Sequence, residues 1–227
     1  MHFHIDHHLL TQARTALSDR KRLYWILGGA GSGKTSVCQV LSTRFRLPVY
    51  DMDAHIYGDY HSRFTAERHP VNWAWSTAEN GLAWLLELSW DEFDSFNQAA
   101  IPEYLELLAI DLQAIGPETS LLIDGGVCNP AILAQAMPIQ QMVCLVTAHG
   151  WSSRLWEESE ERRSMKAAVE ALPNPDAAWR RFLEFDQQIN ATILKECLEN
   201  EIPVCLRNEG ESIEEVAGQV ASILGIE

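Results

Sequence analysis

The chain has 227 residues, 47% of them apolar, and a formal net charge of −15. That length suits one α/β domain with an insertion, or at most two small domains, and the apolar share is enough for a sizeable core. The acidic balance argues against nucleic acid or an anionic membrane as the main partner, because the summed field repels phosphate. A small anionic ligand needs only a local concentration of N–H groups, a lysine and a divalent cation.

The first eight residues, MHFHIDHH, contain four histidines and read as a polar, frayed terminus without an assigned role. Leu23 to Leu27 (LYWIL) is a short apolar run that predicts a buried strand. Residues 34–45 follow with helical spacing through Val37, Val40, Leu41 and Phe45. Leu47 to Asp51 predicts a second strand, more exposed than the first because of Pro48. Residues 54–118 are too long for a simple loop and hold Trp73, Trp75, Trp84 and Trp90, half of the chain's tryptophans. Apolar residues at 101, 105, 108, 112 and 115 give this stretch a helical character.

Further strands are predicted at Ser120–Ile123, Met142–Thr147 and Ile202–Leu206. A long helix carries Trp179, Phe182, Phe185, Ile189, Ile193 and Cys197 on one stripe, and a last helix opens on the capping box Ser212-x-x-Glu215. Strands alternating with helices imply a parallel sheet covered on both faces. The five cysteines, Cys38, Cys128, Cys144, Cys197 and Cys205, include no CxxC pair and read as buried thiols of a reducing cytoplasm. No secretory core follows Met1 and no apolar run reaches the length of a membrane span, so a soluble cytoplasmic protein is expected.

Chemistry concentrates at Gly28-Gly29-Ala30-Gly31-Ser32-Gly33-Lys34-Thr35, which matches G-x-x-x-x-G-K-[ST] without departure. It follows a predicted strand and opens a predicted helix, the setting of a Walker A phosphate-binding loop. Glycines let successive N–H groups face a β-phosphate, Lys34 reaches β- and γ-phosphate oxygens, and the Thr35 hydroxyl suits Mg²⁺. Asp51-Met52-Asp53 ends the second strand, beside the ligand crevice of an open α/β sheet. If that stretch is extended, both carboxylates face the crevice, one for a metal and one to take a proton from an attacking hydroxyl. The alternative is a pair of acids capping the next helix.

Leu121 to Asp124 followed by Gly125-Gly126 reads as a Walker B-like strand with Asp124 for Mg²⁺ or its water. Either Asp51 or Asp124 can be the metal's acid. The stretch around Arg154, Arg162, Arg163 and Lys166 offers guanidinium groups for phosphoryl charge, or a solvated helix face paired with the neighbouring glutamates. In the insertion, His55, His61, Arg63, Arg68 and His69 could form a pocket for a polar substrate.

This order of motifs resembles the small P-loop kinases: the shikimate, gluconate and nucleoside monophosphate kinases. The resemblance covers Leu23 to Leu224 in layout and is most specific at the glycine loop. The chain also looks like bacterial proteins described only as ATP-binding. What the resemblance implies is a single three-layer P-loop NTPase domain over 1–227, with a five-stranded parallel sheet in the order 2-3-1-4-5. Residues 54–118 become a helical substrate-binding insertion and about 150–175 a lid. It implies ATP and Mg²⁺ as cofactors, phosphate and metal contact by Gly28 to Thr35 together with Ser36, and substrate or metal contact by Asp51 and Asp53. Arg162 or Arg163 becomes a lid contact, and Arg207, after the last strand, lies near the adenine. Two departures stand out: Asp124-Gly125-Gly126 replaces a T-x-G-G-G segment, and Glu161-Arg162-Arg163-Ser164-Met165 replaces an R-P-L-L lid. The implied activity is transfer of the γ-phosphoryl of MgATP to a hydroxyl or phosphate acceptor on a small molecule. A second reading is a nucleotide-dependent switch or NTPase acting on a protein partner.

Overall fold

Asp6 opens the first element. Its carboxylate accepts the N–H groups of His8 and Leu9, and α1 (His7–Ser18) follows, burying Leu9, Leu10, Ala13 and Leu17. The frayed start expected from the histidines is corrected from His7 onward, because a capping acid precedes an amphipathic repeat. Met1 and His2 lie outside the described residues of this computed structural model, which are 3–148 and 153–227.

The chain continues through β1 (Leu23–Leu27), α2 (Lys34–Phe45) and β2 (Val49–Asp51). Then come α3 (Met52–Tyr57), α4 (Asp59–Arg63), α5 (Pro70–Ser76), α6 (Gly81–Glu87) and α7 (Trp90–Gln113). The stretch between the second and third strands is therefore helical, as its spacing predicts. After it come β3 (Leu121–Asp124), α8 (Pro130–Leu133), β4 (Met142–Thr147), α9 (Glu160–Glu170), α10 (Pro175–Glu199), β5 (Val204–Arg207) and α11 (Ile213–Leu224). A 3-10 turn spans Ser153–Glu157. Residues 149–152, the first part of the expected lid, lie outside the described residues.

The five strands are all parallel, in the order β2-β3-β1-β4-β5. Alternation along each strand sorts side chains into two cores. Leu23, Trp25 and Leu27 join Leu121, Ile123, Met142 and Cys144 on the face covered by α1, α7 and α10. Ile26, Leu122, Val143 and Leu145 face α2 and α11. The result is a three-layer α/β sandwich. The second strand is an edge strand, with Val49 exposed, as Pro48 suggests. No described helix is long and apolar enough to cross a membrane.

Arg20, itself buried, donates to the carbonyls of Leu112 and Ile115 at the C-terminal end of α7. Leu112 lies in the last turn of the helix and Ile115 just past its C-cap, where carbonyls have spare capacity to accept. The contact anchors the longest helix of the insertion to the sheet side, since Gln141 in turn donates to the Arg20 carbonyl at 2.6 Å.

Candidate functional site: a cleft between the glycine loop and the helical insertion

The loop between β1 and α2 turns on glycines in conformations other residues avoid. Gly28, Gly31 and Gly33 have φ of 141°, 81° and 93°. A Cβ at Gly28 would lie 2.5 Å from the Leu145 carbonyl oxygen, so side chains are excluded there by backbone as well as by φ. Gly33 stands at the N-cap of α2 and no side chain caps that helix. The first-turn N–H groups of Lys34, Thr35 and Ser36 are thereby left for another acceptor, with the positive end of the helix dipole behind them. Lys34 starts α2, and its Nζ lies 3.4 Å from the Gly29 carbonyl. Ser32 is buried and takes no part in the cleft wall. The Arg207 guanidinium comes from the end of β5 to within 3.4 Å of where a Gly33 Cβ would stand.

The acids after β2 are not both on an extended strand. The strand stops at Asp51, and Asp51 caps α3 by accepting the Ala54 N–H at 2.9 Å. Asp53 falls in the first turn of that helix, with Met52 buried behind it. The extended geometry expected for this pair is corrected: an N-capping acid wins over one more strand residue. Asp53 nevertheless reaches the cleft, and Gly125 explains how. A Cβ on Gly125 would overlap Asp53 Oδ2, and one on Gly126 would overlap Met52, so the pair of glycines lets α3 seat against the end of β3.

Asp53 is open to solvent within the cleft but crowded by protein on the other sides. Burial pushes its carboxyl above the ordinary value, Asp51 and Asp124 push the same way, and Lys34 with the Gly126 N–H pull it back. Asp124 is buried, with burial again raising its carboxyl and a hydrogen bond from the Thr35 hydroxyl lowering it. Its Oδ1 has no hydrogen-bond partner among the described residues. An orphaned buried carboxylate oxygen on a group that already meets Thr35 is an arrangement suited to a hard divalent cation. Asp51 is exposed and has one oxygen committed to its cap.

From this loop one continuous cleft of about 530 Å³ runs toward the insertion. Its far half is walled by Trp75, Phe93, Phe96 and Tyr104, with Asn72 and Asn97 as polar points. Tyr104 donates to the Gly126 carbonyl at 2.9 Å, fixing α7 against the end of β3. Trp156 from the 3-10 turn also lines the cleft and is pinned to α10 by its indole N–H on Asp186, at 2.9 Å.

Of the two arginines of α9, Arg162 lines the cleft while donating to Glu158 at 2.9 Å and to the Leu155 carbonyl. Arg163 donates to the Glu157 carbonyl and is not part of the lining. The basic residues of the insertion do not form the polar pocket read from the sequence. Arg63 pairs with Asp111 at 2.8 Å and with Asp59 at 3.2 Å, Arg68 and His69 both pair with Glu106, and His55 pairs with Asp59. Of the four tryptophans there, only Trp75 lines the cleft. Asn72, Asn97 and Tyr104 carried no motif and escaped the sequence reading. Their one signal was the spacing of α5 and α7, which places one helical face toward the strand ends.

No protein-family model matches the chain, and no curated protein does. Among solved structures the chain is similar to TT1252 from Thermus thermophilus. The two are 16% identical over 89% of this chain and 96% of that one, with a TM-score of 0.47.

Proposed function

We propose that the chain is an ATP-dependent phosphotransferase acting on a small molecule. The observation that carries this reading is the continuity of the cleft: the glycine loop with Lys34, the Asp53 carboxylate and the aromatic residues of the insertion line one and the same cavity. A nucleotide switch needs the glycine loop only and leaves the aromatic part without a purpose.

In this reading the N–H groups of the loop and of the first turn of α2, from Gly28 to Ser36, bind the β- and γ-phosphates, and Lys34 adds charge to them. Thr35 and Asp124 would hold Mg²⁺, which supplies charge neutralisation on the phosphate oxygens. Asp124 is preferred to Asp51 because of its orphaned oxygen. Arg207 stands on the nucleotide side of the loop, and Arg162 faces the charge that develops on the transferring group. The acceptor hydroxyl oxygen forms a bond to the γ-phosphorus, the bond to the bridging oxygen breaks, and ADP leaves with that electron pair. The hydroxyl proton passes to the Asp53 carboxylate, whose raised basicity suits the task. The cytoplasm is the natural setting, supported by five free thiols.

The experiment is ATP consumption against pooled alcohols, sugars, nucleosides and acids, with Lys34→Ala as the blank. At least one pool should turn over ATP with wild type and not with the variant, while both give the same folded spectrum. Acceptor-independent ATP hydrolysis with every pool would replace the kinase reading with the switch reading.

A further inference from the structure

The far half of the cleft is defined as much by the charges it lacks as by its rings. Among the described residues, the only cations lining the whole cleft are Lys34 and Arg162. Lys34 opens α2 under the glycine loop, and Arg162 reaches in from α9 beside the Trp156 turn. Arg63, Arg68, His55 and His69 are already spent on Asp111, Asp59 and Glu106, His61 packs edge-on against the Trp75 ring, and none of them lines the cleft. A carboxylate or phosphate on the acceptor would be desolvated among Trp75, Phe93 and Phe96, rings of the wall contributed by the insertion, with the Glu103 carboxyl behind Asn72. Burying an unpaired anion in that way is costly.

The two amides of this half have oxygens left to accept, and the hydroxyl of Tyr57, whose ring meets Trp75 edge-on, can accept or donate. Asn72 donates both N–H groups of its amide, to the Ala100 carbonyl at 3.1 Å and to Glu103 Oε2 at 2.8 Å. Those two bonds fix which end of the amide is which, so Oδ1 is the end it has left to offer. Glu103 locks the same residue from the backbone side, accepting the Asn72 N–H at 2.8 Å. Asn97 donates one N–H of its Nδ2 to the Phe93 carbonyl at 2.9 Å, which orients its amide and leaves Oδ1 and the second N–H to offer. Two amide oxygens and one carboxylate set among flat rings call for a ligand with a flat ring and hydrogen-bond donors.

We infer that the acceptor is a ring-bearing alcohol that carries hydrogen-bond donors and no anionic group, with its ring against Trp75, Phe93 and Phe96 and its donors on Asn72 and Asn97. The transfer to this alcohol rests on the kinase reading; its binding does not. A built hydrogen-bonding site discriminates strongly, because an acceptor left unpaired in the cleft is penalised.

The test uses matched pairs differing in one anionic group: thymidine and thymidine monophosphate, pyridoxine and pyridoxine phosphate, hydroxymethylbenzamide and hydroxymethylbenzoate. The full chain is titrated with each by calorimetry, with Mg²⁺ and a non-hydrolysable ATP analogue filling the nucleotide half. In at least one pair the uncharged member should bind roughly tenfold or more tighter than its anionic partner, the least that an unpaired buried charge costs. Leu85→Lys, which sets a cation in the same wall, should shrink or reverse that preference. Equal or tighter binding of the anionic members to wild type overturns the inference, and so does the absence of binding heat with every member of every pair. Phosphoryl transfer from ATP is scored separately. Binding without transfer removes the kinase reading and leaves the ligand class; transfer to an anionic acceptor does the reverse.

Discussion

Among the described residues, Asp53 is the one carboxylate lining the cleft, and it lies within the field of Lys34. Two neighbours make that position. Asp51 ends the strand by capping α3, and Gly125 leaves room for the Asp53 side chain where a Cβ would overlap it. If Asp53 accepts the acceptor's proton, Asp53→Asn keeps the shape of the side chain and removes its basicity. MgATP affinity should then stay within a few-fold of wild type while phosphoryl transfer falls by roughly 10²–10⁴-fold, the usual worth of a positioned base. The low end is the firmer expectation, because phosphoryl transfer depends mostly on positioning and charge. The measurement is single-turnover transfer to whichever acceptor the ATP-consumption screen identifies. A variant that transfers at the wild-type rate removes Asp53 from the chemistry.

α5 is held in place by a buried acid rather than by a capping side chain of its own. Glu103, on α7, accepts the Val71 N–H at 2.9 Å and the Asn72 N–H at 2.8 Å, satisfying two of the donors that the start of α5 leaves open. Burial pushes the Glu103 carboxyl up to about 7, with these N–H groups pulling it back. The folded chain therefore holds this proton more tightly than the unfolded chain does. The associated stability is full below pH 4.5, the ordinary value, and is lost as pH rises to about 7, by on the order of 3 kcal/mol. Thermal melts of wild type and Glu103→Gln from pH 4.5 to 8 check this. The advantage of wild type should narrow up to about pH 7 and then level off; a widening gap would contradict it. This element also shows where sequence reasoning stops. The strands, α2 and the capping box of α11 are legible because their signals are local: an apolar run, a glycine loop, Ser212 three residues before Glu215. The signal of α1 is equally local, in Asp6 and the stripe from Leu9 to Leu17, but it is masked by histidines that give the segment the composition of a polar terminus. The partner of α5, by contrast, comes from Glu103, some thirty residues away, and no period or motif encodes that pairing. The same holds for Arg63 and Asp111, whose ion pair turns an apparent substrate contact into a structural one.

At the scale of the whole molecule, the charge of −15 opposes the nucleotide binding proposed for the glycine-loop end of the cleft. Lys34 and Arg162 give the cleft its local cations, Arg207 stands beside Gly33 of the loop, and the dipole of α2 adds to them. Asp51, Asp53 and Asp124 offset part of that charge within the site itself. Most of the remaining acids, apart from buried ones such as Glu103 and Asp186, lie over the rest of the surface, where their reach depends on salt. At ~10 mM ionic strength the screening length is ~30 Å, and at ~150 mM it is ~8 Å. A nucleotide approaching at low salt therefore meets the repulsion of the whole acidic surface, whereas at physiological salt it meets mainly the charges around the loop. The association rate constant of MgATP should accordingly rise as KCl is raised from ~10 to ~150 mM, since long-range charge acts chiefly on the rate of encounter. The direction is opposite to that of a protein that binds polyanions through a basic surface, where added salt weakens association. Stopped-flow fluorescence with a labelled ATP analogue and constant Mg²⁺ measures it, with Lys34→Ala as the non-binding control. A rate constant that falls with salt would mean that the field at the cleft mouth outweighs the acidic surface even at long range, and that the net charge has no part in how nucleotide reaches the loop.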